Sequence, residues 1–175
     1  MHIIFETPGL ILRRFTEDDA GLLLTLNSDP DVLKYLHERP LKNEEDSLMI
    51  LKTIILPQYE KNLGRWAVLL KKDNEFIGWC GLKYRPELDE VDLGYRFLKN
   101  SWGKGYATES ALHTLEYGFS VLKLDIITGR AHIANTASLK VLEKIGMRYI
   151  GEGMVDDCPV KTYIADKDSW PPNAF

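Results

Sequence analysis

The stretch that most limits what this chain can become runs from Asp92 to Glu109. A strand-like run, Asp92-Leu93-Gly94-Tyr95-Arg96-Phe97-Leu98, leads into a glycine-bearing loop, Trp102-Gly103-Lys104-Gly105, and that loop opens directly into a helical pattern. Ala111, Leu115 and Phe119 recur at helical spacing and predict a helix from about Gly105 to Leu122. Glycines let backbone N–H groups approach an anion, and a helix start adds unpaired donors and partial positive charge. This is a recipe for cradling a phosphate or pyrophosphate.

Two common phosphate loops fail on these residues. A P-loop needs Gly-x-x-x-x-Gly-Lys-Ser/Thr, which the sequence lacks. A dinucleotide fingerprint needs Gly-x-Gly-x-x-Gly, but Gly103-Lys104-Gly105-Tyr106-Ala107 is followed by Thr108. Its ribose-binding acid belongs at the far end of the next strand, whereas Asp125 stands at the start.

Elsewhere the pattern alternates between strands and helices. Leu10–Arg14 reads as an opening strand, and Thr16 with Asp19 has the form of a capping box before Leu22, Leu23 and Leu26. Asp29-Pro30 predicts a short helix carrying Val32, Leu33 and Leu36. Asn43 and Asp46 open another helix, which Pro57 should interrupt and Gly64 end. Strands follow at 66–70, 76–82 and 91–98. After the long helix come a strand at 125–133, a short helix at 136–145 and a hairpin of strands near 147–155 and 160–165. Four residues, Asp156-Asp157-Cys158-Pro159, join the last two. The expected architecture is one α/β (α+β mixed) domain over residues 1–175, with about seven strands in a mixed, mostly antiparallel sheet flanked by helices on both faces.

Composition narrows the function. Lysine and arginine total 22 against 26 acidic residues, a net charge of −4, which disfavours binding nucleic acid through phosphate contacts. Cys80 and Cys158 form neither a disulfide framework nor a zinc motif, so no metal is expected. No apolar run is long enough to span a bilayer, and the N-terminus lacks a secretory pattern. A reduced, cytoplasmic protein that does not engage membranes is the expectation.

A third candidate is an acyl-CoA loop. Trp102-Gly103-Lys104-Gly105-Tyr106-Ala107-Thr108-Glu109 resembles the pyrophosphate loop of the GNAT acetyltransferases, in the branch that acetylates ribosomal-protein N-termini. Nearly the whole chain shares the resemblance: Thr7–Ala20, Asn27–Val32, Phe76–Leu82 and Asn135–Met147 follow that branch's pattern. Trp102 replaces the superfamily's usual Gln/Arg, Asp92 stands where the branch more often has Glu, and Met147 replaces a usual Phe.

The resemblance implies a GNAT-like fold and an acetyl-CoA-dependent N-acetyltransferase with direct transfer in a ternary complex. The implied cofactor-binding residues are Phe97, Leu98, Trp102, Gly103, Lys104, Gly105, Tyr106, Ala107, Thr108, Asn135 and Ser138. Backbone N–H groups around Phe97-Leu98 would polarise the thioester carbonyl, Asn135 would hold the pantetheine arm, and Ser138 would lie near the CoA sulfur. Asp92 and Ser138 are the candidate catalytic residues. Each has a plainer reading: Asp92 as a solvated strand residue or one half of an ion pair, Ser138 and Asn135 as a helix cap. The acceptor is a protein or peptide N-terminal α-amino group, or alternatively a small amine such as a polyamine or antibiotic. A noncatalytic acyl-CoA-binding module is the reading outside the enzyme class. Monomer and homodimer both stay open.

Overall fold

The computed structural model describes residues 1–170. Eight strands form one sheet: β1 (Ile3–Glu6), β2 (Leu10–Arg14), β3 (Gly64–Leu70), β4 (Phe76–Arg85), β5 (Glu90–Phe97), β6 (Ile126–His132), β7 (Arg148–Val155) and β8 (Cys158–Asp166). Their spatial order is β1-β2-β3-β4-β5-β6-β8-β7, antiparallel throughout except between β5 and β6. The strand beyond the expected seven is β1, an edge strand that pairs with β2 from Ile3↔Arg13 to Glu6↔Ile11.

Four α-helices cover the two faces: α1 (Ala20–Asn27), α2 (Glu44–Ile50), α3 (Tyr106–Ser120) and α4 (Thr136–Lys144). Trp66, Cys80, Leu93 and Tyr95 point to the face of α3 and α4, where Cys80 Sγ meets Thr114 Oγ1 at 3.4 Å. Ala67, Trp79 and Arg96 lie on the opposite face, beside the end of α1, where Arg96 donates to Asn27. The core between these layers includes the fully buried Leu12, Leu26, Ile55, Val68, Leu82, Leu115 and Ile127.

Several local expectations need correction. No helix forms after Asp29-Pro30; the chain makes successive turns, with Leu33 N donating to the Asp29 carbonyl at 3.3 Å. The Asp29 carboxylate accepts from Asp31 N at 2.9 Å, a local side-chain bond that competes with helix continuation. Asp31 then pairs with Lys99, which ties this segment to the end of β5. Pro57 does interrupt α2, which passes through a π turn at Leu51–Ile55 into a 3-10 stretch at Leu56–Lys61. That stretch ends at Asn62, which takes the left-handed conformation (φ 56°). Gly64 instead opens β3 at φ 129°. The β7–β8 turn is tighter than expected, with only Asp156 and Asp157 between the strands, both at positive φ (52° and 60°). Two left-handed residues match the twist of the flanking strands.

The arrangement that positions a site is the junction of β5 and β6. Their parallel ladder contains only Asp92↔Thr128 and Leu93↔Gly129. Beyond that row β5 runs on to Phe97 and β6 to His132 without pairing to each other. The sheet therefore splits at its centre, and the glycine loop begins where β5 ends.

Candidate active site

The loop leaves β5 through a 3-10 turn at Lys99–Ser101 and is pinned by Trp102, whose indole Nε1 donates to the Phe97 carbonyl at 2.9 Å. Gly103 and Gly105 both sit in the left-handed region, at φ 71° and 85°, and a Cβ on either would meet no protein atom within 4 Å. Packing does not demand these glycines. The backbone conformation and the open space above the loop do.

Among the described residues, the amides from Gly103 to Thr108 donate to no backbone or side-chain acceptor; the first intrahelical bond is Glu109 N to Gly105 O at 2.9 Å. Six successive unclaimed donors at the start of a 15-residue helix, with the exposed Lys104 among them, form a cradle for a multiply charged anion. Tyr106, Ala107 and Thr108 form the first turn of α3. The only acidic group in that turn, Glu109, is turned away to the β1–β2 connection. Its Oε1 accepts from Thr7 Oγ1 at 2.6 Å and from Gly9 N at 2.8 Å. A Cβ at Gly9 would lie 3.2 Å from that same oxygen, so the glycine makes room for the clamp.

Phe97 and Leu98 differ as donors. Leu98 N is already bonded to the Ile77 carbonyl at 2.9 Å. Successive amides in a strand point to opposite edges, so Phe97 N–H faces away from β4, into the split. Of the pair, Phe97 alone offers a free amide to a carbonyl held there.

Asn135 and Ser138 lie across the split at the start of α4. Asn135 Oδ1 accepts from Ser138 N at 3.2 Å, the capping bond, which leaves the Asn135 amide nitrogen uncommitted. Ser138 Oγ lies 2.9 Å from the hydroxyl of Tyr95, which also donates to the Ser138 carbonyl at 3.1 Å. Tyr95 thus reaches from β5 to α4. Burial pushes its phenol well above the ordinary range, so it stays protonated. Sequence reasoning passed over Tyr95; alternation along β5 from Leu93 was the signal that puts it on the α4 face.

Asp92 occupies the first of the two paired rows, one residue short of the split, with a side chain only 17% exposed. Its Oδ1 is 3.4 Å from both Thr128 Oγ1 and Arg130 Nη1. Burial pushes its carboxyl up to about 6, against the opposing pull of Arg130 and Arg85. Arg130 is shared with Glu90, and Arg85 pairs with Asp156 of the β7–β8 turn. Asp92 is thus ion-paired, as its plainer reading has it, and burial raises its carboxyl all the same.

The described residues hold no cluster of three or more His, Cys, Asp or Glu arranged for a metal, and no helix long and apolar enough to cross a membrane. The cradle, the split and the hydroxyl pair instead suit a long thioester carrying a pyrophosphate. Comparison with known proteins gives the family. Residues 9–148 match the acetyltransferase (GNAT) domain family. The chain is 31% identical over 152 residues to the uncharacterized N-acetyltransferase p20 of Bacillus licheniformis, covering 86% of this chain and 84% of that one. A GNAT-family acetyltransferase from Bacillus anthracis superposes with a TM-score of 0.80 at 29% identity, covering 97% of this chain and all of that one. Two more distant structures share the fold. RimL, a ribosomal L7/L12 alpha-N-protein acetyltransferase solved with coenzyme A, has a TM-score of 0.82 at 16% identity over 96% of this chain and 99% of its own. A spermidine N-acetyltransferase from Vibrio cholerae has 0.77 at 18%, over 92% and 97%. With its loop, its split sheet and its relatives in agreement, the chain belongs to the GNAT acetyltransferase family.

Proposed function

We propose that this acetyltransferase transfers the acetyl group of acetyl-CoA to the α-amino group at a peptide or protein N-terminus. The observation that carries the choice of acceptor is Asp92, a nearly buried carboxylate whose pKa burial raises to about 6. An α-amino group titrates near 8 and a lysine side chain near 10.4, so handing a proton to such a base costs roughly 3 and 6 kcal/mol respectively. The α-amine is the partner this base can serve.

The proposed division of labour follows the geometry. The amides of Gly103 to Thr108 hold the pyrophosphate and Asn135 holds the pantetheine arm. Phe97 N–H meets the thioester oxygen, where negative charge develops as the amine attacks. A new N–C bond forms and the C–S bond breaks. Asp92 accepts the amine proton through water and releases it to solvent. The Ser138 hydroxyl, backed by Tyr95, donates a hydrogen bond to the departing thiolate, which takes its proton from water. The test is release of CoA thiol with matched peptides, one with a free N-terminus and one blocked there but carrying lysine. Faster turnover of the free α-amine supports the proposal, and faster turnover of the blocked lysine peptide overturns it.

A further inference from the structure

Within β2 to β6, five arginines project from the sheet face that carries Asp92: Arg13, Arg65, Arg85, Arg96 and Arg130. Four of them have an acid. Arg13 pairs with Asp19 at 2.7 Å, Arg85 with Asp156, Arg96 with Glu38 at 3.0 Å through two parallel bonds, and Arg130 with Glu90. Arg65 has none among the described residues. Its guanidinium stacks on Trp79, 4.9 Å from the ring centroid, and Arg96 lies on the same ring at 5.6 Å. None of the Arg65 nitrogens is a fully sealed, unsatisfied donor, but the residue is only partly exposed, and burial and the neighbouring Arg96 lower its guanidinium to about 10. Lys83, further along β4 on this face, also lacks an acid partner among the described residues.

This cation is placed beside the reacting centre. Arg65, Gly81 and Gly94 lie in one register row across β3, β4 and β5. Gly94 is the first β5 residue beyond the last paired row, and the Trp79 ring reaches to 3.3 Å of where its Cβ would be. Two strand spacings put the Arg65 backbone about 10 Å from the Gly94 edge of the split, and three residues of extended peptide span about the same distance. A stacked, unpaired guanidinium at that range is a fixed receptor for a planar anion. Among the described residues, the two acids Glu38 and Asp92 on this face are both engaged by arginines, which disfavours a polycation there.

We propose that the acceptor carries a carboxylate, bound by Arg65 with Lys83 beside it, and that in a peptide this is an acidic side chain at the third or fourth residue. The peptide form of the inference rests on the function proposed above; the carboxylate requirement does not.

The test measures CoA thiol release for two hexapeptides of identical N-terminal residue, one with glutamate at positions three and four and one with lysine there. Spermidine and a free amino acid with a side-chain carboxylate are run beside them. The acidic peptide is expected to exceed the basic one by about tenfold in kcat/KM, through KM, with the gap narrowing as salt is added. Arg65→Glu should reverse the order and Arg65→Lys retain it, with CoA binding by calorimetry reporting that each variant is folded. Lys83→Glu should weaken the preference if the Arg65 variants do not fold. Equal rates for the two peptides overturn this inference and leave the N-terminal function standing. Turnover of the acidic amino acid but of neither peptide overturns that function and sustains the carboxylate site. Turnover of spermidine alone overturns both.

Discussion

The hydroxyl of Tyr95 lies 2.9 Å from Oγ of Ser138, joining β5 to the first turn of α4 across the point where the sheet divides. The pair sets which proton faces the split. When the neutral Tyr95 donates to Ser138 Oγ, the serine's own hydrogen is free to face the split; when Tyr95 donates to the Ser138 carbonyl, the serine can donate back to it. Ser138→Ala is expected to lower kcat by about 100-fold with little change in acetyl-CoA KM, the range of a lost hydrogen-bond donor to developing charge. Tyr95→Phe should lower it less, and the double variant should cost less than the sum of the singles. A change in melting temperature alone would reduce Ser138 to a cap.

The pH dependence follows from Asp92. Its carboxylate must be ionised to accept a proton, so kcat/KM should rise with pH through an apparent pKa near 6. Asp92→Asn should flatten that limb while leaving CoA binding intact. The same raised pKa works against stability: between about 4 and 6 the unfolded chain loses this proton before the folded one does. The contribution of Asp92 to stability therefore falls as pH rises through that window. An acidic limb that survives in Asp92→Asn assigns the titration to another group.

Gly105 can be tested without adding bulk to the protein. Gly105→Ala puts a methyl into open space and leaves only the cost of φ 85°, about 1–2 kcal/mol for a non-glycine residue. Affinity for CoA, measured by calorimetry, should fall further than that cost accounts for, because the methyl stands where the pyrophosphate approaches. Lys104→Ala should weaken binding less, since the amides remain. Undiminished affinity in Gly105→Ala would remove the loop from the cosubstrate site.

The Glu109 clamp predicts a coupled loss. Glu109→Ala leaves Thr7 Oγ1 and Gly9 N without their acceptor, at a cost of about 1–3 kcal/mol in unfolding experiments. CoA affinity should fall with it, because the loop-proximal turn of α3 is no longer tied to the β1–β2 connection. Glu109→Gln keeps an acceptor and should recover most of both.

What could be read from the sequence was local. The strand–loop–helix segment, the break at Pro57 and the Asn135 cap each depend on residues a few positions apart. The Asp29-Pro30 segment misled because an N-cap signal also describes an Asx turn, and what decided it was the aspartate's own bond to Asp31. The environment of Asp92 was out of reach because Arg130 lies 38 residues away, and its basicity comes from burial. The 43 residues between Tyr95 and Ser138, and the 100 between Gly9 and Glu109, hid those contacts in the same way.

Two ladder rungs between β5 and β6 make the middle of this protein a seam. The five strands on one side and the three on the other are each continuous, so native-state opening has a ready line to follow. A cosubstrate lodged along that line touches both halves and acts as a suture. The empty enzyme should exchange the Phe97 amide hydrogen and yield to proteases faster than the loaded one, which couples the protein's persistence in a cell to its supply of acetyl donor.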